Sequence, residues 1–201
     1  MMKPTRGLTL PELLVALAVV AILIGVAAPS FRGLIEVQRL RSINSQLVTD
    51  LQFARNEAAT RGVPLRVMFD TNADTTCYSL YTSAGSAPLT PNPNDLSCDC
   101  LAGPGNACNG VPGTLEVKTV SIPTSLGVQV LPLYGVSAFA FDPATGGLLT
   151  IPADQPSLPM AQFGVQARLD ASRRFFNILN QSGRPSVCSP AGTTLGEAAC
   201  L

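Results

Sequence analysis

Six cysteines and no histidine set the chemistry open to this chain of 201 residues. Cys77, Cys98, Cys100, Cys108, Cys188 and Cys200 form an even set, and they follow an apolar N-terminal segment. That combination points to an oxidising compartment and to disulfides. The alternative for Cys98-Asp99-Cys100 with Cys108 is a metal knuckle. Structural zinc sites use a C-x-x-C spacing or wider, and no histidine is present to help. The missing histidine also removes Ser-His-Asp and Cys-His catalysis. Carboxylates and lysine could still do acid–base work, but no nucleophile motif accompanies them. The expectation is a protein that is not an enzyme and that holds no cofactor and no metal. Basic and acidic residues balance at 13 each, which excludes a broadly basic chain of the kind that coats nucleic acid and leaves room only for a local patch.

One carboxylate stands out. Glu12 heads the apolar run of RGLTLPELLVALAVVAIL, residues 6–23. Lys3 and Arg6 precede the run and Arg32 follows it. Residues 8–28 would measure about 31 Å as a helix, enough to span a hydrocarbon core. Basic residues ahead of the run place the N-terminus in the cytoplasm. A cleaved secretory signal could end at Val26-Ala27-Ala28, but Pro29 would then follow the cut. A plain signal anchor is the second reading. Neither accounts for Glu12, which is costly inside an apolar segment.

Gly7 followed by Leu8-Thr9-Leu10-Pro11-Glu12-Leu13-Leu14 resembles the class III signal of type IV pilins and pseudopilins. The resemblance implies cleavage after Gly7 by a prepilin peptidase on the cytoplasmic side, then N-methylation of Leu8. It makes residues 1–7 a leader and keeps the hydrophobic helix attached. The glycine and the glutamate five residues later match the family; Leu8 stands where phenylalanine is usual. Pro29 matches a helix-kinking proline of the family. The chemistry is consistent. Cleavage creates an α-amine that is protonated at neutral pH in water. Glu12 lies one helical turn further on, where a carboxylate also interacts favourably with the helix dipole. Pro11 in the first turn costs little, because its absent N–H would have no partner there. When subunits pack side by side, Glu12 of one can face the Leu8 amine of the next, and the buried charges cancel only in register. The plainer alternative is that Glu12 snorkels to the headgroups.

The elements that must position these groups follow from periodicity. Leu34, Val37, Leu40, Ile43, Leu47, Leu51, Ala54 and Ala58 recur at steps of three or four. Glu36, Arg39, Arg41, Asp50, Arg55 and Glu57 occupy the other face. Gly62-Val63-Pro64 ends the pattern with a C-cap glycine and a breaker. One helix therefore runs from near Leu8 to about Arg61, roughly 80 Å if straight, with Gly25 and Pro29 as the places to bend. Residues 8–31 are its hydrophobic part and 32–62 its amphipathic part. Residues 63–201 read as a β-rich domain. Strands are expected at Leu65–Asp70, Tyr78–Ser83, Leu115–Ile122, Val128–Leu133 and Ala138–Phe141. FDPATGGLLT reads as a hairpin, and Ala161–Asp170 pairs with Arg173–Asn180. The stretch from Ala84 to Gly113 is rich in Pro, Gly, Asn and Ser and reads as a disulfide-stapled surface loop. The fold class is α+β: a long N-terminal helix packed on an antiparallel β-sheet domain, as in type IV pilin-like proteins.

FFNILNQSGRPSVC, residues 175–188, and the FDPATGG hairpin resemble the GspH/FimT family of minor pilins and pseudopilins. This implies a minor pilin that enters, or primes assembly of, a type IV pilus. The alternatives are a minor pseudopilin of type II secretion and a DNA-binding minor pilin of natural transformation. The implied partners are prepilin peptidase, other major and minor pilins and the bacterial inner membrane before assembly, with the globular domain periplasmic. The resemblance also implies that Cys188 and Cys200 close a C-terminal loop, which favours the pilus branch. Cys98 and Cys100 are too close in sequence to bond each other; either can take Cys108 and leave the other for Cys77. Some family members bind DNA through Gly-Arg-x-Arg. Here Gly183-Arg184-Pro185-Ser186 keeps the first arginine and lacks the second, and Arg168, Arg173 and Arg174 are the additional candidates. The alternative makes Arg184 a turn residue and the others solvated strand ends. Loss of Lys3 and Arg6 with the leader leaves 11 basic against 13 acidic residues, a net charge of −2 that disfavours nonspecific DNA binding.

Overall fold

The structure, a computed structural model, describes residues 9–83, 98–133, 136–149, 160–191 and 195–200, without the side chains of 26–30. The chain divides into two compact units, one up to Gln38 and one from Arg39 onward. Helix α1, Leu10–Arg61, contributes to both.

In the first unit α1 is apolar all round over residues 13–24. Leu10, Leu13, Leu14, Val15, Leu17, Ile22, Leu23 and Ile24 are all exposed, as expected of a helix that is covered by lipid or by other helices. Among the described residues no helix is long and apolar enough to cross a membrane. The span expected over residues 8–28 runs beyond the described side chains at both ends.

From Arg39 the helix is one-sided. Leu40, Leu47, Leu51, Ala54 and Ala58 are fully buried, so the expected stripe is the packed face from Leu40 onward, whereas Leu34 is exposed. Gly62 ends the helix at φ +66°, where its N–H is donated to the Ala58 carbonyl at 3.0 Å. A side chain there would strain the backbone, which is why the chain stops on glycine.

Among the described residues nine strands follow: β1 Leu65–Thr71, β2 Thr75–Ser83, β3 Thr114–Pro123, β4 Gln129–Pro132, β5 Ala138–Phe141, β6 Leu148–Leu149, β7 Gln162–Arg168, β8 Arg174–Asn180 and β9 Pro185–Cys188. They form two antiparallel sheets, ordered β3-β2-β1-β5-β6 and β4-β7-β8-β9. This is the expected α+β arrangement. The one strand not anticipated is β9, which begins on proline and is only four residues long.

Strand alternation assigns the faces. Leu65, Val67, Phe69, Tyr78, Leu80, Phe139 and Phe141 form the inner face of the first sheet. Phe163, Val165, Ala167, Phe175 and Leu179 form that of the second. Phe163 joins them, with ring centroids 4.4 Å from Phe139 and 5.8 Å from Phe69.

The outer face of the first sheet is also covered. Cys77 bonds Cys100 and Cys98 bonds Cys108, which resolves the two open pairings. Cys98, Ala107 and Tyr81 are buried together, with Met68 and Cys108 packed on them. Within residues 98–113 Cys98, Cys100 and Ala107 are buried and most of the rest is exposed, so this is the disulfide-stapled surface loop expected, seated on the sheet by those three residues; residues 84–97 lie outside the description. Glu116 on β3 holds this loop, its carboxylate accepting the N–H groups of Gly105 at 2.8 Å and Ala107 at 3.0 Å.

Candidate functional site

The charged residues expected on the outer face of α1 are exposed or half-buried, with the exception of Asp50. Asp50 is only 4% exposed, contrary to its expected place among the outward charges. It stands three residues after Leu47 and four before Ala54, on the flank of the buried stripe. Its Oδ2 accepts the Tyr78 hydroxyl at 2.8 Å, and its Oδ1 lies 2.6 Å from Lys118 Nζ. Register places Tyr78 and Lys118 on one face, since Lys118 pairs with Leu80, two residues from Tyr78. A second polar pair does the same for the other sheet. Asn177 Nδ2 on β8 donates to Asn44 Oδ1 at 2.8 Å, and both residues are buried. Asn44 lies four after Leu40 and three before Leu47, so its stripe position was readable and its partner was not. Hydrophobic burial alone is non-directional; these two contacts specify how the helix seats on each sheet.

Burial first, and the Asp50 charge and hydrogen bond second, push the Tyr78 phenol far above its ordinary value of 10.0. A folded value above the unfolded one means the contribution is complete below about pH 10 and is lost as pH rises beyond it. The expected result in an alkaline titration is no phenolate absorbance from Tyr78 until the domain unfolds. Normal ionisation near pH 10 with the fold intact would contradict the buried contact.

The arginines on the same helix reach sideways to close loops. Arg39 Nη1 donates to the Leu126 carbonyl at 2.8 Å and Arg41 Nη2 to that of Leu195 at 3.1 Å. Arg55 Nε is shared between the carbonyls of Gly146 at 3.1 Å and Ser182 at 3.2 Å. Arg55 thus clamps the β5–β6 turn and the β8–β9 turn together.

The β8–β9 turn carries Gly183-Arg184. Asn180 organises it: its N–H is donated to the Arg184 carbonyl at 3.2 Å, and its Oδ1 accepts the Arg184 N–H at 3.1 Å. Gly183, at φ +73°, packs against the Gly146 carbonyl and the Phe141 ring. The Arg184 side chain is exposed. Arg168 and Arg174 pair at the other end of β7 and β8, about 20 Å along the strand from Asn180. Arg173, beside them, is held by Asp170 at 2.7 Å. The four arginines named as DNA candidates therefore do not converge.

Cys188 and Cys200 are bonded, and a parallel bridge from Ser189 to Ala199 braces the loop they close. Glu12 lies exposed in the first turn of α1, its N–H donated to the Thr9 carbonyl at 3.1 Å. Gly7 and Leu8 lie outside the described residues, as does the Pro29 side chain.

Two family matches cover most of the chain. Residues 2–28 match the prokaryotic N-terminal methylation motif, and residues 44–174 match the family described as type II transport protein GspH. No curated protein and no solved structure matches the chain. The GspH match spans the helix from Asn44, all of β1 to β7 and the turn into β8, and the methylation motif covers the segment that ends in the apolar run. With a long helix seated on antiparallel sheets, the chain belongs to the GspH/FimT family of type IV pilin-like proteins.

Proposed function

We propose that this chain is a minor pilin, cleaved after Gly7 by prepilin peptidase, methylated at Leu8 and incorporated into, or priming, a type IV pilus. The observation that carries the reading is the union in one chain of a methylation motif at residues 2–28 with a GspH region at 44–174. The part of α1 within residues 8–31 anchors the precursor in the inner membrane, with the N-terminus cytoplasmic. Residues 63–201 are periplasmic, where three disulfides are at home. The protein acts by assembly rather than catalysis. The Cys188–Cys200 staple favours the pilus branch. The family's description as a type II transport protein favours the second reading, a minor pseudopilin. Arg184, exposed at its turn, keeps DNA binding as a third reading, which a gel shift at low salt would test.

Mass spectrometry of the purified protein should show loss of residues 1–7 and a methyl group on Leu8. An intact leader in cells with active peptidase would overturn the reading. Glu12→Ala should leave cleavage near normal and lower the amount in sheared filaments at least about tenfold, because an uncompensated buried charge costs about 3 kcal/mol or more. Undiminished incorporation would remove the register role.

A further inference from the structure

The outer face of the second sheet has a chemistry that the fold does not use. Register sets its rows. Gln129, Arg168 and Arg174 stand side by side; next come Leu131, Gln166, Phe176 and Cys188; then Leu133, Gly164, Ile178 and Ser186. The opposite face of the same strands is the buried one, with Phe163, Val165, Phe175 and Leu179 nearly inaccessible.

Two features of this face are costly in the isolated chain. Arg168 and Arg174 are directly opposed across β7 and β8, a like-charge pairing that destabilises a sheet. Among the described residues neither has an acidic partner. Arg168 donates Nε and Nη2 to Gln129 Oε1 at 3.1 and 2.9 Å, which satisfies hydrogen bonds without neutralising charge. Arg174 lies 4.9 Å from the centre of the Phe176 ring. Secondly, Arg174 Nε and Gln166 Oε1, in adjoining rows, are buried with no hydrogen-bond partner.

Beside the arginines the face is apolar and hollow. A cavity of about 760 Å³ is lined by Leu133, Gln162, Phe176, Ile178 and the Cys188–Cys200 staple. Gly164 shapes it: a side chain there would press on Leu133, with a Cβ only 2.8 Å from its Cδ1.

We propose that this face docks a neighbouring filament subunit through a segment that presents a carboxylate to Arg168 and Arg174 and apolar side chains to the hollow. Charge complementarity selects the partner. Two adjacent guanidiniums can donate charge-assisted hydrogen bonds to one carboxylate, and the adjoining Leu133, Phe176 and Ile178 suit side chains rather than a hydrated polyanion backbone. A polyanion would also meet a mature chain of net charge −2. The inference rests on the reading of the chain as a filament subunit.

The test uses the full chain in the producing cell, with Phe176→p-benzoylphenylalanine as a photo-crosslinker and the adduct identified by mass spectrometry. The expected result is an adduct to a pilin-type subunit whose crosslinked peptide contains Asp or Glu. Its yield should fall about tenfold or more with Arg168→Glu/Arg174→Glu and fall clearly with the milder Arg168→Gln/Arg174→Gln. Arg173→Gln, at a guanidinium already engaged by Asp170, should leave it unchanged. Protein level and an intact Cys188–Cys200 bond identify variants that have folded. An adduct to DNA or lipid, no adduct, or a yield insensitive to charge reversal in folded protein overturns the proposal. Leader cleavage is read in the same spectra: a cleaved leader without the adduct sinks the docking face alone, and an uncleaved leader sinks the filament reading itself.

Discussion

Asp50→Ala lowers the unfolding free energy of the Arg39–Leu201 unit by about 3 kcal/mol, measured by urea denaturation followed by circular dichroism. The substitution strands two groups at once. The buried Tyr78 hydroxyl loses its acceptor, a loss of about 1–3 kcal/mol. Lys118 loses its counter-charge, but its side chain is 40% exposed, so water recovers much of that part. The sum sits at the low end of the range for breaking a buried ion pair. Two further variants separate the contributions. Asp50→Asn keeps an acceptor for Tyr78 and should cost about half as much. Asp50→Leu with Tyr78→Phe removes both buried polar groups and should regain part of the loss, because well-packed apolar replacements can match buried polar pairs. A cost below about 1 kcal/mol for Asp50→Ala would mean that the contact contributes little beyond surface electrostatics.

Gly183→Ala should cost about 3 kcal/mol as well, for a different reason. The residue sits at φ +73°, where an L side chain pays about 1 kcal/mol or more. Its Cβ would also be driven into the Gly146 carbonyl oxygen, with the Phe141 ring close behind. That carbonyl is backbone and is itself the acceptor of Arg55, so relieving the clash disturbs the clamp on both turns. Displacements of this kind typically cost about 1–3 kcal/mol. Gly183→Asn discriminates between the two causes. Asparagine tolerates the left-handed region but carries the same Cβ, so a cost close to that of alanine identifies the close approach as dominant. A near-neutral asparagine variant would leave only backbone strain. The same geometry gives the Gly-Arg turn a structural reason to contain glycine, independent of any ligand.

Much of the architecture was readable because it is locally encoded. The 3.6-residue period from Leu40 to Ala58 and the glycine after it mark a helix that ends at Arg61. β5 covers the expected Ala138–Phe141, and β7 and β8 lie within a residue or two of the segments read as paired strands. β9 was not readable: four residues beginning with proline carry no alternation, and what makes Pro185–Cys188 a strand is its pairing with Phe176–Leu179. The pairing of Cys98 and Cys100 could not be chosen in sequence either. The two are separated by one residue, and the choice follows from which thiol lies over Cys77 on β2.

The N-terminal methylation motif, the helix, the strand-rich remainder and the family were legible from residue order, because each is written in residues close along the chain. Which polar side chains are structural emerged from the folded arrangement. Asp50 and Arg55 look alike in a helical projection, each a charge beside an apolar stripe. One is buried against Tyr78 and Lys118, and the other clamps two turns that lie more than ninety and more than a hundred residues away. It also separated Arg184 from Arg168 and Arg174, placed at opposite ends of β8, and brought the latter two together on one sheet face. Burial and pairing depend on what the sheets bring opposite each side chain, and that is a property of contacts far apart in sequence.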